Sequence, residues 1–291
     1  MKRFIIIFIT LFAIIFAAHP QLLWQISGNS VNSKSYLLAT DLLTDATFLD
    51  SIPNLFKIYS HCNRVVTEMV YSDTIMQKAI LQNAVLPDTI SLRTLYNPKE
   101  YEQLQEAVMV YLKIPLKQIE KLKPVYINEM IRQQLFQDYT DYQPNHSSDN
   151  FFQSIAKQTG KPIVGLDNAG EAVYMLFERE PLQWQVAELL RTISHPEKEI
   201  KQQQEITRFY QQGQLNEISY QVAMPDNQTS ISYSDYKMYC SRNREWVKKL
   251  TPLLKEGGQF IVLNSVYLGG EEGLIAQLRK AGYKVKPVNK K

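Results

Sequence analysis

LLWQISGNSVNSKSYLLAT, residues 22–40, predicts how the fold begins. Trp24 and Ile26 belong to a short apolar strand, residues 28–34 form a polar turn, and residues 35–40 form a second apolar strand. Two apolar strands joined by a short polar turn containing glycine are typical of a β-hairpin. We therefore expect the sheet to start with this hairpin.

The C-terminal end of the chain also has the pattern of two strands. Residues 260–288 read FIVLNSVYLGGEEGLIAQLRKAGYKVKPV. The pattern predicts a strand at 260–264, a helix at 273–281 and a closing strand at 283–288. Strands at both ends of a chain are most simply accommodated in one sheet.

The middle of the chain is predicted to be mostly helical. Two further strands are expected at 63–70 and 161–166. Apolar residues three to four apart predict helices in the following ranges: 45–59, 91–96, 98–112, 115–121, 124–136, 151–159, 168–191, 195–212, 215–224 and 234–254. Residues 138–150 are polar and predicted to be a loop. The fold class is therefore α/β (α+β): one domain over residues 22–288, with a central mixed sheet built from both chain ends and a helical middle.

The first residues have the features of an export signal. Lys2 and Arg3 precede an apolar run from Phe4 to Phe16, and small residues follow at Ala17 and Ala18. This order is typical of a signal peptide over residues 1–18, with cleavage near Ala18. The run is shorter than the roughly 20 residues of a transmembrane helix; an uncleaved anchor is the alternative. We expect a periplasmic or secreted protein with no membrane span after signal removal.

Composition excludes some partners and leaves others open. The chain has 32 basic and 29 acidic residues, and no basic block. A nearly neutral chain gives no support for nucleic-acid binding. Export permits a disulfide between Cys62 and Cys240, but free thiols are an equal alternative.

Several segments resemble the TraB/GumN family, which includes the Tiki-type metalloproteases. The hairpin at 22–40 resembles the start of the family, and residues 260–288 resemble its end. Between them lie further similar segments: VVTEMV (65–70), LKPVYINEMI (122–131), GKPIVGLDN (160–168), YQQGQLNEI (210–218) and SRNREWVKKL (241–250). In this resemblance Glu68 ends a strand, Arg242 and Asn243 are the Arg-Asn pair of a helix, and Asp167 replaces a glutamate.

Two motifs of the family are missing. Where the first G-x-x-H is expected the chain has Ala39 to Leu42, and where the second is expected it has Asn264 to Tyr267. The resemblance implies that active members hold a divalent metal, such as Mn or Co, with the two histidines and nearby acid. Leu42 has no metal ligand, and Tyr267 would have to ionise. We therefore expect no metal and no cofactor.

The remaining chemistry depends on five candidate residues. The candidates for a surviving site are Glu68, Arg242, Asn243, Asp41 and Tyr267. In one alternative, Asp41 and Glu68 form a weak acidic metal site. In the other, Asp41 caps the following helix and Glu68 forms an ion pair with a basic group such as Arg242.

The sequence thus favours a protein without the hydrolase activity of the family. We expect it to act by binding or scaffolding in the periplasm, with an unknown protein, peptide or glycan as its partner. Seventeen tyrosines provide side chains suited to such contacts, although ordinary core and surface positions also account for them. The alternative is a metal-dependent peptidase or other hydrolase with an altered acidic site. Whether the protein is an enzyme stays open at this point.

Overall fold

The computed structural model describes residues 21–29, 31–223 and 233–288. A mixed sheet of six strands forms its centre. The strands are β1 (Leu23–Ser27), β2 (Ser35–Thr40), β3 (Arg64–Thr67), β4 (Ile163–Gly165), β5 (Gln259–Asn264) and β6 (Lys284–Pro287). All six predicted strands are therefore present. The predicted signal peptide lies outside the described residues.

The order of the strands is β4-β3-β5-β2-β1-β6. β1 pairs antiparallel with β2 and with β6, while β2, β5, β3 and β4 run parallel to one another. In the β2–β5 pair, Tyr36 lies opposite Phe260 and Thr40 opposite Asn264. The two ends of the chain are thus neighbours in one sheet, which confirms the predicted architecture.

The burial of each strand agrees with its position at the centre or at the edge of the sheet. β5 has five consecutive buried residues from Gln259 to Leu263, as expected for a central strand covered on both faces. β6 lies at one edge and alternates exposed lysines with a buried Val285. Charged side chains on an edge strand oppose pairing with another chain.

Twelve α-helices are described. They are α1 (Leu55–His61), α2 (Thr74–Asn83), α3 (Leu92–Leu95), α4 (Pro98–Leu112), α5 (Pro124–Tyr139), α6 (Ser148–Thr159), α7 (Ala169–Val173), α8 (Leu182–Ser194), α9 (Pro196–Gln211), α10 (Leu215–Ala223), α11 (Tyr233–Glu256) and α12 (Leu274–Lys280). α4 has the predicted bounds because Asn97 and Glu100 form a capping box and Pro98 occupies the first turn.

Two predicted helices are each divided in the structure. Residues 45–59 form a 3₁₀ helix, Ala46–Ser51, and then α1, because Asn54 takes a left-handed conformation (φ 60°) between them. The predicted helix at 168–191 is interrupted before Pro181, whose ring is incompatible with a helix interior. Its first part is α7 followed by a π-helical turn, Tyr174–Glu178.

The stretch at 138–150 is more ordered than a loop. α5 continues to Tyr139, a 3₁₀ turn spans Pro144–His146, and α6 already begins at Ser148. α6 begins within the polar stretch because its later residues, such as Phe152, pack in the core of the sheet.

Two large apolar clusters and two small ones support the described part of the fold. The larger one surrounds the sheet and includes Trp246, Phe260 and Tyr267. The second lies among the helices of the middle and includes Leu104 and Ile131. Cys62 and Cys240 are free, buried thiols. None of the helices in the described ranges is long and apolar enough to cross a bilayer.

Candidate functional site

Four parallel strands place the candidate residues at one edge of the sheet. Asp41 follows β2, Glu68 follows β3, Asp167 comes shortly after β4, and Tyr267 comes shortly after β5. The carboxyl ends of parallel strands meet at the same edge, which is where ligands bind in α/β sheets. α11 lies against this edge and contributes Arg242.

The guanidinium of Arg242 joins three of these positions. Its Nε donates to Oδ2 of Asp167 at 2.9 Å, and its Nη2 donates to the same oxygen. Its Nη1 donates to Oε2 of Glu68 at 3.2 Å and to the phenol oxygen of Tyr267. The side chain of Arg242 is only 10% exposed and that of Asp167 only 6%. The ion pair between Glu68 and Arg242, one of the two alternatives for Glu68, is therefore present.

Aromatic rings enclose the same guanidinium. The carbon at its centre lies 4.5 Å from the centre of the Trp246 ring and 5.0 Å from that of Tyr267. The two rings are themselves in contact, with 4.7 Å between their centres. The indole Nε1 of Trp246 donates to Oδ1 of Asp167 at 2.6 Å. We call Glu68, Asp167, Arg242, Trp246 and Tyr267 the arginine cluster.

The protonation states of the cluster follow from burial and charge. Burial raises the pKa of the Tyr267 phenol well above its usual value, although the neighbouring Arg242 opposes this shift. Burial alone would lower the pKa of Arg242, but Tyr267 and the carboxylates of Glu68 and Asp167 outweigh it and raise that pKa. Tyr267 is therefore a neutral phenol and Arg242 a fixed cation.

Asn243, unlike Arg242, contacts backbone oxygens. It is buried, and its Nδ2 donates to the backbone oxygens of Tyr267 at 2.9 Å and Glu272 at 3.1 Å. Both acceptors lie in the segment between β5 and α12. Asn243 therefore fixes the backbone that carries Tyr267.

Asp41 contacts a separate group of side chains. Its Oδ2 accepts hydrogen bonds from the backbone N and Oγ1 of Thr44 and from Oγ1 of Thr207. Oγ of Ser148 accepts a hydrogen bond from the backbone N of Asp41 at 3.1 Å and donates one to its backbone O at 2.9 Å. Asp41 thus closes the turn after β2, while Asp45 caps the 3₁₀ helix that follows. The prediction that Asp41 caps the following helix is therefore wrong, because the cap is Asp45.

Lys249 extends the cluster along α11. Its Nζ donates to the backbone oxygen of Leu166 at 2.6 Å and to both carboxylate oxygens of Glu171. It also lies 4.0 Å from Oδ1 of Asp167. Two cations of α11 therefore face the acidic residues that follow β3 and β4.

The residues present do not fit a catalytic divalent metal. A metal would need anionic or imidazole ligands directed at one point, whereas the Glu68 and Asp167 carboxylates are directed at a guanidinium. Tyr267 offers a neutral phenol, and Asp41 is engaged by Thr44 and Thr207. Within the described part of the chain, no group of three or more His, Cys, Asp or Glu is placed to hold a metal ion.

A cavity opens beside the cluster, between α11 and the segment formed by α7 and the π-helical turn. Its volume is about 520 Å³, within the range of small-molecule sites. Its lining comprises Asp167, Gly170, Glu171, Tyr174, Met175, Arg179, Lys237, Met238, Ser241, Arg242, Glu245 and Lys249. Tyr174 and Met175 come from the π-helical turn, a rare conformation that occurs frequently at functional sites.

Three residues of this edge were not among the predicted candidates. Trp246 follows Arg242 by four residues, a spacing that places both on one face of a helix. Asp167 had a signal in the sequence, because the resemblance places it at the end of a strand. Lys249 had none, since a lysine on a helix is usually a solvated residue.

The sequence as a whole was compared with known families. The model of the TraB/PrgY/gumN family matches residues 22–287.

The chain belongs to the TraB/PrgY/gumN family.

The match extends from β1 to β6, so it covers the sheet, the arginine cluster and the helices between them. No curated protein and no solved structure matches the chain significantly. Family membership agrees with the resemblance carried by the segments around Glu68, Arg242 and Asn243.

Proposed function

We propose that this TraB/PrgY/gumN protein is exported and acts by binding or scaffolding in the periplasm, without metal-dependent hydrolase activity. The arginine cluster is the observation that carries the proposal. A guanidinium is bound by the two carboxylates at the edge where the resemblance implies a metal. Hydrolysis through that site would require a metal to displace a cation that is covalently part of the chain.

The replaced histidines support the same proposal. Tyr267 occupies the position of one expected histidine and accepts a hydrogen bond from Arg242. Leu42 occupies the other, and its aliphatic side chain has no metal ligand. Neither position therefore supplies an imidazole to a metal.

Binding has a suitable location in the cavity beside the cluster. Tyr174, Met175 and Met238 provide adaptable apolar surface, and paired charges such as Lys249 and Glu171 surround it. Pockets with apolar walls and a few polar groups are typical ligand sites. The partner is expected to be a protein, a peptide or a glycan.

The experiment compares hydrolysis with and without metal. Purified mature protein is incubated with a peptide library in EDTA and then in excess Mn²⁺ or Co²⁺, and products are identified by mass spectrometry. We expect no cleavage above the buffer control in any condition. Metal-dependent cleavage that is lost in Glu68→Ala but kept in Glu106→Ala, an exposed glutamate of α4 outside the cavity lining, would support the hydrolase alternative instead.

Export is tested separately. The full chain is expressed, the cell is fractionated, and the N-terminus of the purified protein is sequenced. We expect the periplasmic fraction to contain a chain that begins near His19. An intact Met1 in the cytosolic fraction would reject export and leave the question of hydrolysis unaffected.

A further inference from the structure

The groups of the arginine cluster are arranged around a planar cation, the guanidinium of Arg242. Carboxylates of Glu68 and Asp167 approach the edges of the guanidinium, and the rings of Trp246 and Tyr267 lie near its centre. Carboxylates at the edges and aromatic rings nearby are the two features that distinguish guanidinium recognition from recognition of a compact ion. A divalent metal is held mainly by N, O or S donors, and the faces of the rings provide none.

Every nitrogen of this guanidinium has an acceptor. Nε and Nη2 donate to Asp167, and Nη1 donates to Glu68 and to Tyr267. The acceptors are held in place by other groups: Asp167 by the indole of Trp246, and Glu68 by the backbone N of Asn264, 3.3 Å from Oε1. The acceptors therefore do not depend on Arg242 alone for their positions.

We propose that the carboxyl edge of the sheet is a guanidinium-binding site that the chain fills with its own Arg242. The ligand class of this site is the guanidinium ion and its alkyl derivatives. Arg242 then acts as a tethered ligand that fastens α11 to β3, β4 and β5. This inference goes beyond the proposed function, because it concerns which cation the site selects and not whether the protein hydrolyses a substrate.

The tethered ligand can be removed and supplied again. In Arg242→Ala the buried carboxylate of Asp167 and the partly buried carboxylate of Glu68 lose their main counter-charge. Lys249 remains 4.0 Å from Asp167. We expect the melting temperature to fall by about 6–20 °C. Guanidinium or methylguanidinium at about 1–20 mM should then raise it in a saturable manner, because a ligand that binds only the folded state stabilises that state.

The controls separate a site from a general effect of salt. Each titration is repeated with sodium chloride and ammonium chloride at the same ionic strength, and with Mn²⁺. Arg244→Ala removes an exposed arginine two residues away on α11 and is the matched control. Neither wild type nor Arg244→Ala should be stabilised by guanidinium.

Three results with Arg242→Ala would overturn the proposal. If Arg242→Ala folds but gains no stability from guanidinium, the remaining residues of the arginine cluster do not recognise this ion. Equal stabilisation by ammonium would show that only charge matters, and greater stabilisation by Mn²⁺ would indicate a metal site beneath Arg242. Should Arg242→Ala fail to fold, Arg242→Lys decides: the proposal expects a clear loss of melting temperature, and melting like wild type contradicts it.

Discussion

The indole nitrogen of Trp246 donates to Oδ1 of Asp167 at 2.6 Å, which leaves Oδ2 of the same carboxylate to Arg242. One carboxylate thus joins two residues of α11 that are four positions apart. A hydrogen bond to a charged group in a buried site contributes more than a neutral one. Trp246 is also the largest fully buried side chain of the described residues. It therefore fills the core and holds Asp167 in position for Arg242.

Replacing Trp246 with phenylalanine tests this support. Trp246→Phe keeps an aromatic ring but removes the N–H, so Asp167 loses a partner and the core loses volume. We expect the free energy of unfolding to fall by about 2–4 kcal/mol in denaturant titration. Trp184→Phe, at a position that is 62% exposed, is the control and should change it by no more than about 0.5 kcal/mol. Similar losses in both variants would argue against a special role for the indole.

Asn243 provides a second test of the cluster's surroundings. Asn243→Ala removes the donor shared by the backbone oxygens of Tyr267 and Glu272. We expect a loss of about 1–3 kcal/mol in the free energy of unfolding, because a buried acceptor is left without its partner. Amide exchange in residues 265–273 should also accelerate. Unchanged exchange there would mean that Asn243 does not fix this segment.

The raised pKa of Glu188, in α8, makes the stability of the protein depend on pH. Burial, with help from the nearby Asp235, raises its pKa from 4.5 to about 7; the other charged groups that act on it are Arg132, Arg191 and Glu129. Since the folded-state pKa is raised, the stability that Glu188 contributes is fully present below the unfolded pKa. It is lost as pH rises through about 7.

The measurement is a comparison of unfolding curves across pH. Glu188→Gln should match wild type near pH 4, where both side chains are neutral, and should be the more stable protein near pH 8. The variant keeps the shape of the side chain, so packing changes little. A constant difference between the two proteins from pH 4 to 8 would contradict the assigned shift.

The sheet was predictable because each strand has a local signal. The apolar runs at 35–40 and 260–264 are short, bounded by polar turns, and buried except at Tyr36 and Asn264. Helix boundaries were harder where one residue changes the backbone, as at Asn54 and Pro181. Spacing of apolar residues continues across such breaks, so periodicity alone merges two helices into one.

The site was predictable only in part. Glu68 and Arg242 meet as an ion pair, which the sequence offered as one alternative for Glu68. The separation of Asp41 from this pair belongs to the same alternative, but the side chains that Asp41 contacts were not predictable from the sequence. Its partners Thr207 and Ser148 are more than 100 residues away in sequence. Such contacts depend on tertiary packing, which no local pattern records.

The central claim is that Arg242 binds the carboxylates of Glu68 and Asp167, so that the protein does not hold a catalytic metal there. Its most direct test is a calorimetric titration of Mn²⁺, Co²⁺ and Zn²⁺ into metal-free protein, with Asp41→Ala and Glu68→Ala titrated in parallel. The account predicts weak or absent binding to wild type and no consistent change in either variant. Micromolar binding to wild type that disappears in Asp41→Ala or Glu68→Ala would contradict it and restore a metalloenzyme.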